Sequence, residues 1–448
     1  MSLTVLVNAG PWLPVPPNGY GGIENVIATL VPELRRLGVR VLLATVGSSE
    51  LPVDEQLAVF PDGQFGSLQR PYNQACGVVQ SHLHAVVRTL RERDDVDLVH
   101  DHVEAAGLAT LAALGPDAPP VLHTLHWDLT KHPELYGGFD GGDRVRVNGV
   151  SADQLSRAPE ALRAHSVGHV HLATPLADGA DRRRPAEKSG HVVVLGRINP
   201  GKGQDLAARL AHRAGFDLVL AGPVGPYRQP AELAAAEHDP VAAANPDVRY
   251  WRERVAPHVD GVRVRWVGTV AGRQRDELVA TARASLFPLR WAEPGGTAVV
   301  ESLALGTPVV ALAEGCLPEL VRHGDTGLLT SDEDELADLV HAAGQIDPRR
   351  CAVEAARRFT PAAMARSYLT LYDRVRRPDL PASSGSDGRS GAIPDVSTRR
   401  PGVLGGPAAD PLPAVRPARA SRASSGLVFG DRAARPVDPG EPVVPHGR

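Results

Sequence analysis

Lysine is nearly absent from this chain: of 48 basic residues only Lys131, Lys188 and Lys202 are lysine. Arginine is taken almost by default, so a lysine in a chemically loaded place is less readily put down to drift. Cysteine is as scarce. Cys76, Cys316 and Cys351 lie far apart and are odd in number, which disfavours both a disulfide framework and a zinc site. No apolar run reaches the ~18 residues of a membrane span. The opening Met1-Ser2-Leu3-Thr4-Val5-Leu6-Val7 has no basic residue ahead of its apolar stretch, so it does not read as a secretory signal. A formal net charge of −4 gives no bulk attraction to nucleic acid or anionic membranes. These absences point to a cytoplasmic protein with no nucleic-acid partner and no membrane span.

What is present is a sizeable core. The 448 residues are 43% hydrophobic, and the length predicts two or more folded units. Short apolar runs alternate with helix-spaced segments. The first series of strands covers Leu3–Asn8, Val39–Thr45, Val96–His102, Val121–Leu125 and Arg146–Ser151. The second covers His191–Ile198, Phe216–Gly222, Arg263–Val270, Ala284–Leu289 and Pro308–Ala313. Helices are expected at Ile23–Leu37, Gln204–Ala214, Asp276–Ala284 and Thr297–Leu305. Continuous apolar strands separated by helices predict parallel sheets covered on both faces, an α/β fold of two Rossmann-like domains joined near residue 185. Ligands of such sheets sit beyond the carboxyl ends of the strands. From Pro381 onward the composition changes: eleven prolines and ten glycines among 68 residues predict a disordered tail.

Three loops carry chemistry. Gly19-Tyr20-Gly21-Gly22-Ile23-Glu24 follows the first strand and opens a helix, where glycines let backbone amides approach an anion. Gly196-Arg197-Ile198-Asn199-Pro200-Gly201-Lys202-Gly203 fits the phosphate-loop pattern up to its last position. There Gly203 replaces the hydroxyl residue that would hold magnesium. What remains is a fork and a point charge, Arg197 and Lys202, suited to gripping a diphosphate without metal. Glu293-Pro294-Gly295-Gly296-Thr297 leads into a helix that carries Glu301. Carboxylates at 293 and 301 can each take hydroxyl pairs, and the helix N-terminus between them can take a phosphate. Hydroxyl, phosphate and hydroxyl partners in that order match a nucleotide-sugar. Among the histidines, His100 and His102 with Glu104 are expected on one face of a strand end, as a polar cleft wall rather than a metal cluster. His123 and His126 are not both on one strand face, and only His126 is placed for the cleft. His82 and His84 are expected at the surface.

Glu293 and Glu301, followed by Ser302-Leu303-Ala304-Leu305-Gly306-Thr307-Pro308-Val309-Val310-Ala311, resemble the signature of retaining glycosyltransferases of family four, whose fold is GT-B. The resemblance covers roughly residues 3–375. It includes the Pro17–Glu24 loop with Gly21-Gly22, His126 in Thr124-Leu125-His126, Gly196-Arg197 with Lys202, and Trp266-Val267-Gly268. Leu317-Pro318-Glu319 and Gly324-Asp325-Thr326-Gly327 complete it. It implies an N-terminal acceptor-side domain (1–184), a C-terminal nucleotide-sugar-binding domain (185–358), a helix at 359–377 returning to the N-terminal domain, and a tail at 378–448. It implies a retaining, metal-independent transferase that takes a nucleoside-diphosphate sugar and a small-molecule or glycan acceptor, with no cofactor. Arg197 and Lys202 would neutralise the donor diphosphate, and Glu301 would hold the ribose. Glu293, Gly295, Gly296 and Thr297 would hold sugar and phosphate. Gly268 would line the donor site, Gly21 and Gly22 would contribute from the other domain, and His126 would lie near the reacting centre. The family usually has a bulky residue where this chain has Gly295, which predicts a more mobile loop. The alternatives are a non-catalytic nucleotide-sugar-binding protein, or an epimerase or phosphorylase on the same fold.

Overall fold

The computed structural model describes residues 3–377 apart from Tyr20; the tail expected at 378–448 lies outside them. Two wholly parallel sheets organise the chain. The first contains β1 (Thr4–Asn8), β2 (Arg40–Thr45), β3 (Glu55–Ala58), β4 (Leu98–Asp101), β5 (Val121–Thr124), β6 (Val145–Gly149) and β7 (Ser166–His169). Their spatial order is β3-β2-β1-β4-β5-β6-β7. The second contains β8 (Val192–Leu195), β9 (Leu218–Ala221), β10 (Val264–Trp266), β11 (Ala284–Phe287), β12 (Val309–Leu312) and β13 (Gly327–Thr330), in the order β10-β9-β8-β11-β12-β13. The register of the central pair in each sheet is fixed by Val5 opposite Leu98 and by Ala284 opposite Val192.

In both sheets the chain winds outward from the first strand, then returns past it to wind the other way. That reversal lies between β1 and β4 in one sheet and between β8 and β11 in the other. Loops leaving adjacent strands at a reversal diverge to opposite faces and leave a crevice at the carboxyl edge. The loops after β1, β4, β8 and β11 are the ones that carry the sequence motifs.

Central strands are buried on both faces: Val192, Val193 and Val194 of β8 are all buried, as helices cover each side. The helix Gly22–Arg36 buries Val26, Ile27, Leu30, Val31 and Leu34. The helix Pro361–Arg376 lies beside it, and Met364, Ala365, Tyr368, Leu371 and Tyr372 share one core with Val5, Val7 and Leu98 of the first sheet. The last described helix thus packs on the half of the chain that was built first. None of the described helices is long and apolar enough to cross a membrane.

Candidate active site

The loop after β8 is rigid by construction. Asn199 accepts the backbone N–H of Lys202 on its side-chain oxygen at 3.1 Å, and the Gln204 amide donates to the Arg197 carbonyl at 2.9 Å. Gly203 has φ +68°, and a Cβ there would overlap the Pro288 carbonyl. The position where a phosphate loop would place its magnesium-holding hydroxyl therefore admits glycine alone.

Both cations of this loop face carboxylates. The Lys202 ammonium lies 2.5 Å from Glu293 Oε2 and 5.0 Å above the Trp291 ring. The structure thus brings together two residues named from motifs 91 positions apart. Arg197 donates to Asp247 Oδ2 at 2.8 Å while its side chain stays 43% exposed. Asp247 sits in the short helix Pro246–Tyr250, which carries no motif. The Glu293 carbonyl accepts the Cys316 N–H at 2.9 Å, which pins the loop after β11 from beneath.

Beyond Glu293 the chain runs through Gly295 into Gly296, whose φ of +60° opens the helix Thr297–Ala304. The first turn of a helix leaves amides without intrahelical acceptors, so an anion is favoured at this end. Gly295 corrects one expectation, since it is buried rather than loose. A Cβ there would come within 2.6 Å of Leu172 and 3.2 Å of Val150. Side chains from the first half of the chain fill the space that a bulky residue would need.

Glu301, one turn into that helix, has an 18% exposed side chain and accepts from Arg275 Nη1 at 3.1 Å. Burial pushes its carboxyl above the usual range, and the Arg275 charge pulls it back. Arg275, which also binds Asp276 at 2.7 Å, was not singled out in the sequence because the helix Gly272–Ala280 has no recognisable motif. Gly268, at φ +72°, lies directly against Arg228 and Gln229. The Arg228 guanidinium reaches to 3.4 Å from where a Cβ of Gly19 would stand. The glycine loop after β1 and the 228–229 loop thus face each other. Gly21 packs against Pro17, whereas Gly22 is exposed, with nothing within 4 Å of a Cβ position.

His126 follows β5, and its Nε2 lies 2.8 Å from Nδ1 of His102, with the rings stacked at 5.2 Å. Burial lowers the His126 pKa to about 3 and that of His102 well below its ordinary value, so both rings are neutral. Below them His123 Nδ1 donates to Asp101 Oδ2 at 2.6 Å, and the Asn8 amide donates to Asp101 Oδ1 at 2.7 Å. His82 corrects another expectation. It is 1% exposed and bonds Asn8 Oδ1 at 2.7 Å through Nε2; His84 is exposed. Glu104 is not on the strand face with His100 and His102, because β4 ends at Asp101 and Glu104 opens the helix Glu104–Ala112 at φ +25°.

The sequence profile described as "Glycosyl transferases group 1" matches residues 180–359, and that of "Glycosyltransferase Family 4" matches 20–147. The chain is 28% identical over 412 residues to a D-inositol 3-phosphate glycosyltransferase of Actinosynnema mirum, covering 80% of this chain and 93% of that one. It is 28% identical over 415 residues to an alpha-maltose-1-phosphate synthase of Mycolicibacterium smegmatis, covering 80% and 97%. Among solved structures, AviGT4, a glycosyltransferase involved in avilamycin A biosynthesis, superposes with a TM-score of 0.55 at 27% identity, covering 84% and 98%. The two profile matches together span more than half of the 448 residues and place the chain in glycosyltransferase family 4, with the GT-B fold.

Proposed function

We propose that this glycosyltransferase is retaining and metal-independent, and that it moves a sugar from a nucleoside-diphosphate donor to a hydroxyl of a small-molecule or glycan acceptor. The observation that carries the reading is the Arg197–Asp247 and Lys202–Glu293 pairs beside a helix opened by Gly295-Gly296. Two cations on one rigid loop are held ready against carboxylates. A diphosphate brings more negative charge than either carboxylate and exchanges with them. Lys202 then turns to the phosphate, Glu293 is released to accept hydroxyl protons of the donor sugar, and Glu301 takes the ribose hydroxyls. Gly268, Gly295, Gly296 and Thr297 offer backbone at the same place.

The difficult event is departure of the diphosphate from the anomeric carbon. Once the diphosphate has displaced the two carboxylates, Arg197, Lys202 and the helix end stabilise charge that grows in the transition state. Metal independence rests on these two fixed cations and on Gly203, where no hydroxyl can be placed. Retention rests on front-face attack, with a leaving phosphate oxygen taking the acceptor proton. Glu293, once Lys202 has turned to the phosphate, serves binding of the donor sugar and not attack. His126 is neutral and offers a hydrogen bond near the reacting centre, and Gly22, beside the packed Gly21, leaves room for the donor from the opposite wall. The alternative of a binding protein without turnover drew its motive from a loose Gly295, and the packing of Leu172 and Val150 against it weakens that motive.

A thermal-shift panel of uridine, guanosine, adenosine and thymidine diphosphates and their glucose derivatives tests this. At a hundred times Kd a ligand stabilises by about 2.7 kcal/mol, a rise of a few degrees for a chain of this size. One base family should stabilise selectively and equally with and without added Mg²⁺ or Mn²⁺. No stabilisation by any of them, or stabilisation only with the added ion, contradicts the proposal.

A further inference from the structure

We propose that His169, His171 and Glu319 form a divalent-metal site, most suited to Zn²⁺, that ties the edge of the first sheet to the segment supporting the donor loop. The three donor atoms all lie within 4.8 Å of one another. His171 Nε2 is 2.8 Å and His169 Nε2 4.0 Å from Glu319 Oε2, and the two imidazole rings are 5.0 Å apart. Ligand atoms around a tetrahedral Zn²⁺, each ~2.0–2.1 Å from it, are separated by about 3.4 Å. The observed separations bracket that value, so small side-chain rotations suffice. The longer contact, His169 to Glu319, is too long for a hydrogen bond and is the right scale for two ligands sharing an ion.

The local sequence explains why these donors converge. His169 ends β7 and His171 is two positions on, so in extended chain both project to one side. Glu319 comes from the helix Leu317–Leu320, 148 positions later. Its carboxylate is oriented before any ion arrives: the Asp153 N–H donates to Oε1 at 2.6 Å and the Ala152 N–H to Oε2 at 2.9 Å. Such outer contacts fix the ligand and leave the second lone pair of Oε2 for a metal. Two imidazoles and one carboxylate favour zinc among the available divalent ions. His169, with a third of its side chain exposed, leaves a fourth position open to water.

The position gives the ion a role. Cys316 holds the Glu293 carbonyl, and the helix bearing Glu319 follows at once. Arg157, in the same stretch as Ala152, donates to the Ala292 carbonyl at 3.4 Å. A metal here therefore clamps the donor loop's support against the first half of the chain, without touching the diphosphate.

The experiment titrates the metal-stripped full chain with ZnCl₂ by calorimetry, with Co²⁺ absorption as a coordination readout. The proposal expects one Zn²⁺ per chain with a Kd of about 10 µM or tighter, and four-coordinate Co²⁺ bands. His169→Ala and His171→Ala should each weaken binding at least tenfold, while His84→Ala, at an exposed histidine elsewhere, leaves it unchanged. His169→Ala removes the most exposed ligand, so its metal-free melting temperature should stay within about 2 °C of the parent chain and show that it folds. Absence of binding, or binding that His169→Ala and His171→Ala leave intact, overturns the site.

Discussion

Glu24 shows how a single side chain can set a pH dependence. It stands in the first turn of the helix Gly22–Arg36 with 6% exposure, and burial raises its carboxyl from 4.5 to about 7 against the pull of its own backbone N–H. Below pH 4.5 both folded and unfolded chains carry the proton. Between 4.5 and about 7 only the folded chain keeps it, so stability falls as pH rises through that window. The full span corresponds to on the order of 3 kcal/mol. Glu24→Gln should therefore raise the denaturant midpoint at pH 8 and change it little at pH 4.5. A variant less stable than the parent at pH 8 would mean that the carboxylate is ionised and held. The three lysines show what residue-level reading can reach. Lys202 meets Glu293 in the donor loop, whereas Lys188 ties the Ala280 and Gly306 carbonyls at 2.7 and 2.8 Å and is pushed down to about 8 by burial. Lys131 stacks over Trp127 at 3.6 Å. Rarity marks all three as placed, and only the surrounding loop separates the ligand contact proposed for Lys202 from a structural tie.

At the scale of elements, the helix Pro361–Arg376 is joined to the first sheet by a directional chain of hydrogen bonds. Thr124 donates to Asn148 Oδ1 at 2.9 Å, so its oxygen accepts from His100 Nε2 at 2.8 Å. His100 Nδ1 is then the acceptor of the Tyr372 O–H at 2.8 Å, and the Tyr368 O–H points to the same threonine at 3.3 Å. Tyr372→Phe leaves a buried imidazole nitrogen without its donor and should destabilise the chain by about 1–2 kcal/mol in urea unfolding. An unchanged midpoint would mean that the helix is held by apolar packing alone. The central strands were legible in the sequence to within a few residues, since burial on both faces writes a continuous apolar run. β3, β7 and β13 were not, and each lies at a sheet edge: Glu55–Ala58 is mostly exposed, and Ser166–His169 is partly so. β10, also at an edge, was legible as Arg263–Val270, so it is these three that depend more on a neighbour's open hydrogen bonds than on a run of their own.

Across the whole molecule, the site was legible where one loop carries it and illegible where distant segments meet. Arg197 with Lys202, and Glu293 with Glu301, sit in contiguous motifs. Their partners Asp247 and Arg275, and the Leu172 and Val150 side chains that fill the space beside Gly295, come from elsewhere in the chain and bear no pattern. The same long-range folding brings Gly19 opposite Arg228 and Glu319 onto the amides of Ala152 and Asp153. Each contact crosses between the two sheets' loops, so the relative placement of the halves is fixed around the crevice in which the donor is proposed to bind. The account rests on the two cations being kept for a diphosphate. Its most direct test is steady-state transfer by Arg197→Ala and Lys202→Ala, with the donor found by the nucleotide panel at saturating concentration. The account predicts a loss in kcat of ~10²-fold or more for each, with melting temperatures near the parent's. A kcat within about threefold of the parent in both variants would contradict it.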